Sequence, residues 1–184
     1  MTQYAQYNPA LSPAPVIAWF DTDEFDYPNL PPASDLLEVT PAQWADRLTN
    51  PSGCAVSNGA LVAYTPPVPA PTLAQQAAAA IGAGLTITST GTPALNGTYA
   101  VASGVPFGRE DIGTEAQFVS TFSEFTNGTT TLQWPLIDGK TFVTFPTTAS
   151  FMAFAKAAAQ FYAACKAVAA TGAGSLPAAS ATIP

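Results

Sequence analysis

The chain has 184 residues, 12 acidic and 5 basic side chains and no histidine, a formal net charge of −7 and a pI near 4.1. Charged residues make up 9% of it and hydrophobic ones 48%, against the roughly one quarter charged that is usual in globular domains, so a disordered polyanion is excluded and a folded core is expected. The scarcity of Lys and Arg argues against binding to nucleic-acid phosphates, and the missing histidines remove the usual neutral-pH base, the commonest metal ligand and every Ser-His-Asp or Cys-His arrangement.

Met1 to Pro9 contain no Lys or Arg and lead into no apolar block with a small-residue cleavage site, so no secretory signal is expected. No apolar run approaches the length of a membrane span, and no membrane partner is expected. Val16-Ile17-Ala18-Trp19-Phe20 follows Pro13 and Pro15 and predicts a buried strand. The acidic residues Asp21, Asp23, Glu24 and Asp26 come next. An EF-hand reading fails because Asp26 occupies the glycine position and Pro32 the final glutamate position; the cluster reads as a solvated acidic turn. Tyr27-Pro28-Asn29-Leu30-Pro31-Pro32 excludes a regular element.

Thr40-Pro41-Ala42-Gln43-Trp44 predicts a helix start, with Thr40 as N-cap, proline at the first helical position and Gln43 completing a capping box. That short helix is expected to end near Asn50-Pro51. Cys54-Ala55-Val56-Ser57 and Ala60-Leu61-Val62-Ala63-Tyr64 flank Asn58-Gly59 and predict a two-residue hairpin. The alternating prolines of Thr65-Pro66-Pro67-Val68-Pro69-Ala70-Pro71 then form an extended spacer.

Beyond the spacer, Thr72 caps a helix reaching Ile81 that Gly82 and Gly84 stop. Gly82-Ala83-Gly84 is not a phosphate loop, since it follows a helix and precedes a strand. Leu85-Thr86-Ile87-Thr88 alternates as a half-buried strand, with Thr98-Tyr99-Ala100-Val101 as its hairpin partner. Arg109 beside Glu110 and Asp111 predicts local ion pairing. A helix is expected from Thr114, with Phe118, Phe122 and Phe125 on one core-facing side. Thr129 to Trp134 and Thr141 to Phe145 should pair across Asp138-Gly139. The closing helix, about Thr148 to Ala170, carries an apolar stripe of Phe151, Phe154, Ala155, Ala158, Phe161, Tyr162 and Cys165. Gly172 to Pro184 reads as a tail that is mobile unless a neighbour captures it. Cys54 and Cys165, with no CxxC spacing, read as inert thiols and not as a zinc site or disulfide.

The predicted fold class is α+β: an amino-terminal module over 1–64 with a β-hairpin, a proline-rich linker over 65–71, an α+β domain over 72–171 with short antiparallel strands and a long closing helix, and a flexible tail over 172–184. No catalytic, cofactor or metal site is expected. Trp19, Phe20, Trp44 and Tyr64 are the candidate partner-binding residues, because aromatic anchors dominate interfaces; core packing is the alternative role for Trp19 and Trp44.

Two stretches carry a resemblance: Ser57-Asn58-Gly59-Ala60-Leu61-Val62-Ala63-Tyr64-Thr65-Pro66-Pro67 closing a Trp-bearing amino-terminal part, and a second pattern in the rest of the chain. The second comprises Gly84 to Thr90, Pro93-Ala94-Leu95-Asn96-Gly97-Thr98-Tyr99-Ala100-Val101, Leu132-Gln133-Trp134-Pro135 and the Phe-rich closing helix. Together they resemble small bacteriophage and prophage proteins encoded among tail genes, including tail-fibre-associated and tail-fibre-assembly proteins with a carboxy-terminal domain of unknown function. The loop Val105 to Gly113 departs from that pattern in being more Gly-rich and charged. The resemblance implies a non-enzymatic virion protein of the tail, made in the host cytoplasm, present in several symmetric copies and partnered by other tail proteins. A cytoplasmic chaperone for tail-fibre assembly, a capsid-decorating protein and a glycan-binding module are the alternative expectations.

Overall fold

A computed structural model describes residues 2–49 and 53–184. The fold is mixed α+β, and the chain divides into two compact units, 1–69 and 70–184, at the proline-rich run.

The amino-terminal unit is one antiparallel sheet with a short helix. Its elements are β1 (Gln3–Tyr7), β2 (Ala14–Asp21), β3 (Leu36–Val39), α1 (Pro41–Asp46), β4 (Cys54–Ser57) and β5 (Ala60–Ala63), and the strands lie in the order β3-β1-β2-β4-β5. Thr40 caps α1 as its sequence predicts: the Gln43 amide donates to Thr40 Oγ1 at 3.3 Å and the Thr40 amide donates to Gln43 Oε1 at 2.9 Å. The helix ends at Asp46, while the expected end at Asn50-Pro51 lies outside the described residues. The β4–β5 hairpin closes on Asn58 (φ 51°) and Gly59 (φ 73°). Two successive left-handed residues match the right-handed strand twist, which is why Asn-Gly marks such turns.

β1 and β3 have no counterpart in the sequence reading. The inward positions of β1 are Gln3 and Ala5, one polar and one small, so the strand lacks an apolar alternation. β3 is a four-residue run separated from the breaker Pro31-Pro32 by the 3-10 turn Ala33–Asp35.

The carboxy-terminal unit is built around α4 (Thr148–Thr171). Before it come α2 (Leu73–Ala83), β6 (Leu85–Ser89), β7 (Gly97–Tyr99), α3 (Arg109–Phe122), β8 (Leu132–Pro135) and β9 (Phe142–Phe145), and after it β10 (Ser180–Ile183). β6 is central in the three-stranded sheet β10-β6-β7, and β8 pairs antiparallel with β9. The alternation of Leu85, Ile87 and Ser89 inward with Thr86 and Thr88 outward follows the period-two pattern. Tyr99, Phe145, Phe151 and Phe154 form a fully buried aromatic cluster; Tyr99 and Phe154 have ring centroids 4.6 Å apart, and the Tyr99 hydroxyl donates to Leu95 O at 2.6 Å. The α4 stripe is buried at Phe151, Phe154, Ala155, Ala158, Phe161 and Cys165, with Tyr162 only half-buried.

Two expectations for this unit are corrected. The segment 172–184 is not a mobile tail: β10 pairs in parallel with β6, Ile183 is buried, and Ser89 Oγ donates to Pro184 O at 2.9 Å. Ser180-Ala181-Thr182-Ile183 has a strand pattern too short to stand alone, and an already formed neighbour, β6, supplies the ladder that fixes it. α3 starts at Arg109 instead of Thr114, and its buried side is Ile112, Glu115 and Val119. Phe118 and Phe122 pack on each other with centroids 4.7 Å apart on the outer side, Phe122 being 60% exposed, whereas Phe125 lies past the helix and is fully buried. The left-handed Ser123 (φ 62°) ends the helix and turns Phe125 onto the core.

Candidate functional site

The acidic turn is organised by one buried carboxylate. Asp21 and Gln3 are directly opposed on β2 and β1, and Gln3 Nε2 donates to Asp21 Oδ2 at 2.7 Å. The other oxygen accepts from the amides of Asp23 at 3.2 Å and Glu24 at 3.3 Å. The Gln3 side chain, and next to it these two amides, hold the Asp21 carboxyl below the usual carboxylate range. Asp21 therefore departs from the expected solvated turn: it is a buried turn-former that ends β2, while Asp23, Glu24 and Asp26 are exposed. Asp23 Oδ2 accepts from the Thr2 amide at 2.6 Å. No cluster of His, Cys, Asp or Glu with the makings of a metal site occurs among the described residues.

The four predicted partner-binding aromatics fall in three places. In an antiparallel pair, opposed residues share a face, so Ala5, Trp19 and Leu37 line one side of the sheet with Gln3, Asp21 and Val39. α1 covers this side: Trp44 packs edge-on against Trp19 at 6.1 Å, and the Arg47 guanidinium lies 3.6 Å from the Trp44 ring centre while donating to Trp44 O at 2.6 Å. The Trp19 indole N–H is buried with no acceptor among the described residues. An orphan donor of this kind costs about 1–3 kcal/mol, so Trp19 is held by ring packing and not by polar recognition.

Phe20 points to the opposite side with Tyr4 and Glu38. There it meets Tyr27 edge-on at 5.0 Å, and Tyr27 in turn meets Phe25 at 6.3 Å, with Phe25 55% exposed. Phe20 and Tyr27 are half-buried there. Tyr64 is half-buried beyond β5, where its amide donates to Gly53 O at 2.7 Å. The structure thus joins Trp19 to Trp44, places Phe20 on the opposite side and leaves Tyr64 apart. Tyr27 and Phe25, absent from the predicted set, sit in the segment after β2; their signal is two aromatics within six residues of the strand's end.

Amino-terminal packing is thin. Its buried hydrophobic residues are Ala5, Ala14, Val39, Ala55 and Val56, whereas all the largest fully buried side chains belong to the carboxy-terminal unit. At about 25 cal/mol per Å² of apolar surface, three alanines and two valines contribute little, and a unit of this size has a small margin to begin with. On the side opposite Trp19 lie Tyr4, Phe20 and Tyr27, all half-buried, and Phe25, which is exposed. An arrangement of this kind can adhere to another apolar surface.

In the carboxy-terminal unit, Arg109 pairs loosely with Glu110 at 4.0 Å, as the charge pattern predicts. Glu110 is turned toward the preceding loop, where Ser103 Oγ donates to Oε1 and the Gly104 amide to Oε2. The Ser103 hydroxyl, then the Gly104 amide, lowers the Glu110 carboxyl from its ordinary value. These loop contacts and the Phe107 amide donating to Asp111 Oδ2 at 2.6 Å fix the helix start five residues before the expected one. Acidic residues in a first turn are themselves a helix-start signal. Cys165 is buried in the core, with its thiol pushed up by burial, and Cys54 is half-buried in β4; both are free. No known protein family, curated protein or solved structure compared with the chain matches it.

Proposed function

We propose that the protein is a non-enzymatic structural component of a bacteriophage tail, a tail-fibre or fibre-attachment protein that docks through its amino-terminal unit. One observation carries the docking part: a sheet whose buried hydrophobic residues, among those described, are alanines and valines alone, flanked by the half-buried pair Phe20 and Tyr27 and by Phe25, which is 55% exposed. Interface cores are built from aromatic anchors that lose their water on assembly. The tail assignment draws its support from the sequence resemblance, and the absence of histidine from the chain supports a role without catalysis.

Mass spectrometry of purified particles from the strain that carries the gene tests this reading. The chain is expected in several copies per particle, with incorporation reduced by F20S combined with F25S. Particles that lack the chain overturn the reading, and co-purification with fibre protein from lysates but not with particles assigns the chaperone role instead.

A further inference from the structure

α3 and α4 run antiparallel. Arg109 at the start of α3 lies over the Tyr162 ring, 4.6 Å from its centre, and Phe125 beyond the other end packs edge-on against Phe151 at 5.7 Å. Between the two helices opens a cleft of about 750 Å³. Its α4 wall runs from Met152 to Ala163, about 16 Å at 1.5 Å per residue, or three helical turns. Ala155, Ala158 and Ala159 form much of that wall. Side chains that stop at Cβ bring a second backbone close, because interhelix distance is set by the side chains at the contact.

The charge of this cleft opposes that of the molecule. The chain carries a net −7 with five basic residues, and two of the five, Arg109 and Lys156, line the cleft. Glu110 also lines it, but its carboxylate is engaged by Ser103 and Gly104. Lys156 is exposed and forms no ion pair among the described residues. The Arg109 guanidinium lies over the Tyr162 ring, and a guanidinium offers a planar fork that matches a carboxylate. Six residues of α4 separate Lys156 from Tyr162, about 9 Å along the axis and close to two turns.

We propose that this cleft is a docking groove for a helix of another protein: about three turns long, apolar where it meets the alanine wall, with two acidic residues about two turns apart that pair with Arg109 and Lys156. An acidic helix face would complement Lys156, which has no ion pair among the described residues, and Arg109, which is only loosely paired with Glu110 at 4.0 Å. The groove is independent of the tail assignment, since peptide binding and presence in particles are read separately.

The test titrates the full-length protein with a labelled synthetic peptide of about fourteen residues, leucine and alanine on one face and glutamate at two positions about two turns apart, followed by fluorescence anisotropy and circular dichroism. Companion peptides carry glutamine or lysine at those positions. The glutamate peptide is expected to bind and gain helix, and its affinity to fall about tenfold with glutamine, the scale of losing a charge-assisted hydrogen bond. R109Q combined with K156Q should erase the difference between the glutamate and glutamine peptides, and Ala159→Trp should block the groove. No binding of the glutamate peptide, equal binding of the lysine peptide, or undiminished binding to a folded Ala159→Trp variant overturns the proposal. So does sedimentation that shows self-association abolished by Ala159→Trp, which would assign the groove to a second copy.

Discussion

Gly84 joins α2 to β6 with φ +86°, and a Cβ built there would lie 2.5 Å from Tyr99 O and 2.8 Å from Ile137 Cδ1. Positive φ with an extended ψ of −176° is essentially a glycine conformation and costs another residue about 1–3 kcal/mol, and the carbonyl belongs to β7. Gly84→Ala is therefore expected to lower the stability of the carboxy-terminal unit by at least about 2 kcal/mol in urea unfolding; a loss under half of that would show that the junction relaxes. Asp138 offers a check on local electrostatics. The Thr141 and Lys140 amides, joined by the Thr141 hydroxyl, pull its carboxyl down to about 2 from an ordinary 3.8. A carboxyl depressed in the folded state stabilises the fold above its unfolded value, and that contribution fades as pH falls from about 4 toward about 2. A side-chain NMR titration should place the Asp138 midpoint near 2, and a midpoint near 3.8 would mean that the turn hydrogen bonds do not persist in solution. Tyr99 behaves in the opposite sense: burial pushes its hydroxyl up to about 12, so its contribution is complete below about pH 10 and is lost as pH rises toward 12.

Among the elements, β10 carries the clearest consequence. It adds a parallel strand to β6, buries Ile183 and ends with Pro184 O accepting from Ser89 Oγ. Ile183→Ala should cost about 2–5 kcal/mol, the usual range for emptying a buried isoleucine site, and removal of 179–184 should cost at least as much because β6 then loses one of its two neighbours. Limited proteolysis that releases 175–184 with no change in melting temperature would contradict this. Legibility in the sequence follows from where each signal resides. The Asn58-Gly59 hairpin, the Thr40 and Thr72 capping boxes and the α4 stripe are local, written within a few residues, and they stand in the structure. β1, β3 and β10 owe their existence to a neighbouring strand, and their inward positions include Gln3, Ala5 and Ala181. The Phe118 and Phe122 expectation failed because helical spacing states which residues share a side and not which side faces the core; Glu115, accepting from the Thr126 amide at 2.8 Å and hydroxyl at 2.7 Å, occupies the inner side instead. Of the candidate site, the side of the sheet on which Phe20 lies could be read only once its strand partner Tyr4 and its contact with Tyr27 were known.

For the molecule as a whole, the two units differ in how completely they bury themselves. The carboxy-terminal unit holds a continuous core from Ala77 to Ile183 with four aromatic rings linked by contacts, and among the described residues the amino-terminal unit has no buried hydrophobic side chain larger than valine. Hydrogen exchange on the full-length chain should find its slowest amides in β6, β9 and α4, and earlier exchange throughout β1 to β5, because protection follows the depth of apolar packing. Equal protection of the two sets would show that the thin sheet is self-sufficient. We propose that this sheet is completed by another protein in an assembled tail. Electron cryo-microscopy of purified particles tests it most directly: density for the chain should appear at the tail with Phe20, Phe25 and Tyr27 enclosed by a neighbouring subunit, and a particle in which that aromatic side faces open solvent, or in which the chain has no density, would contradict the account.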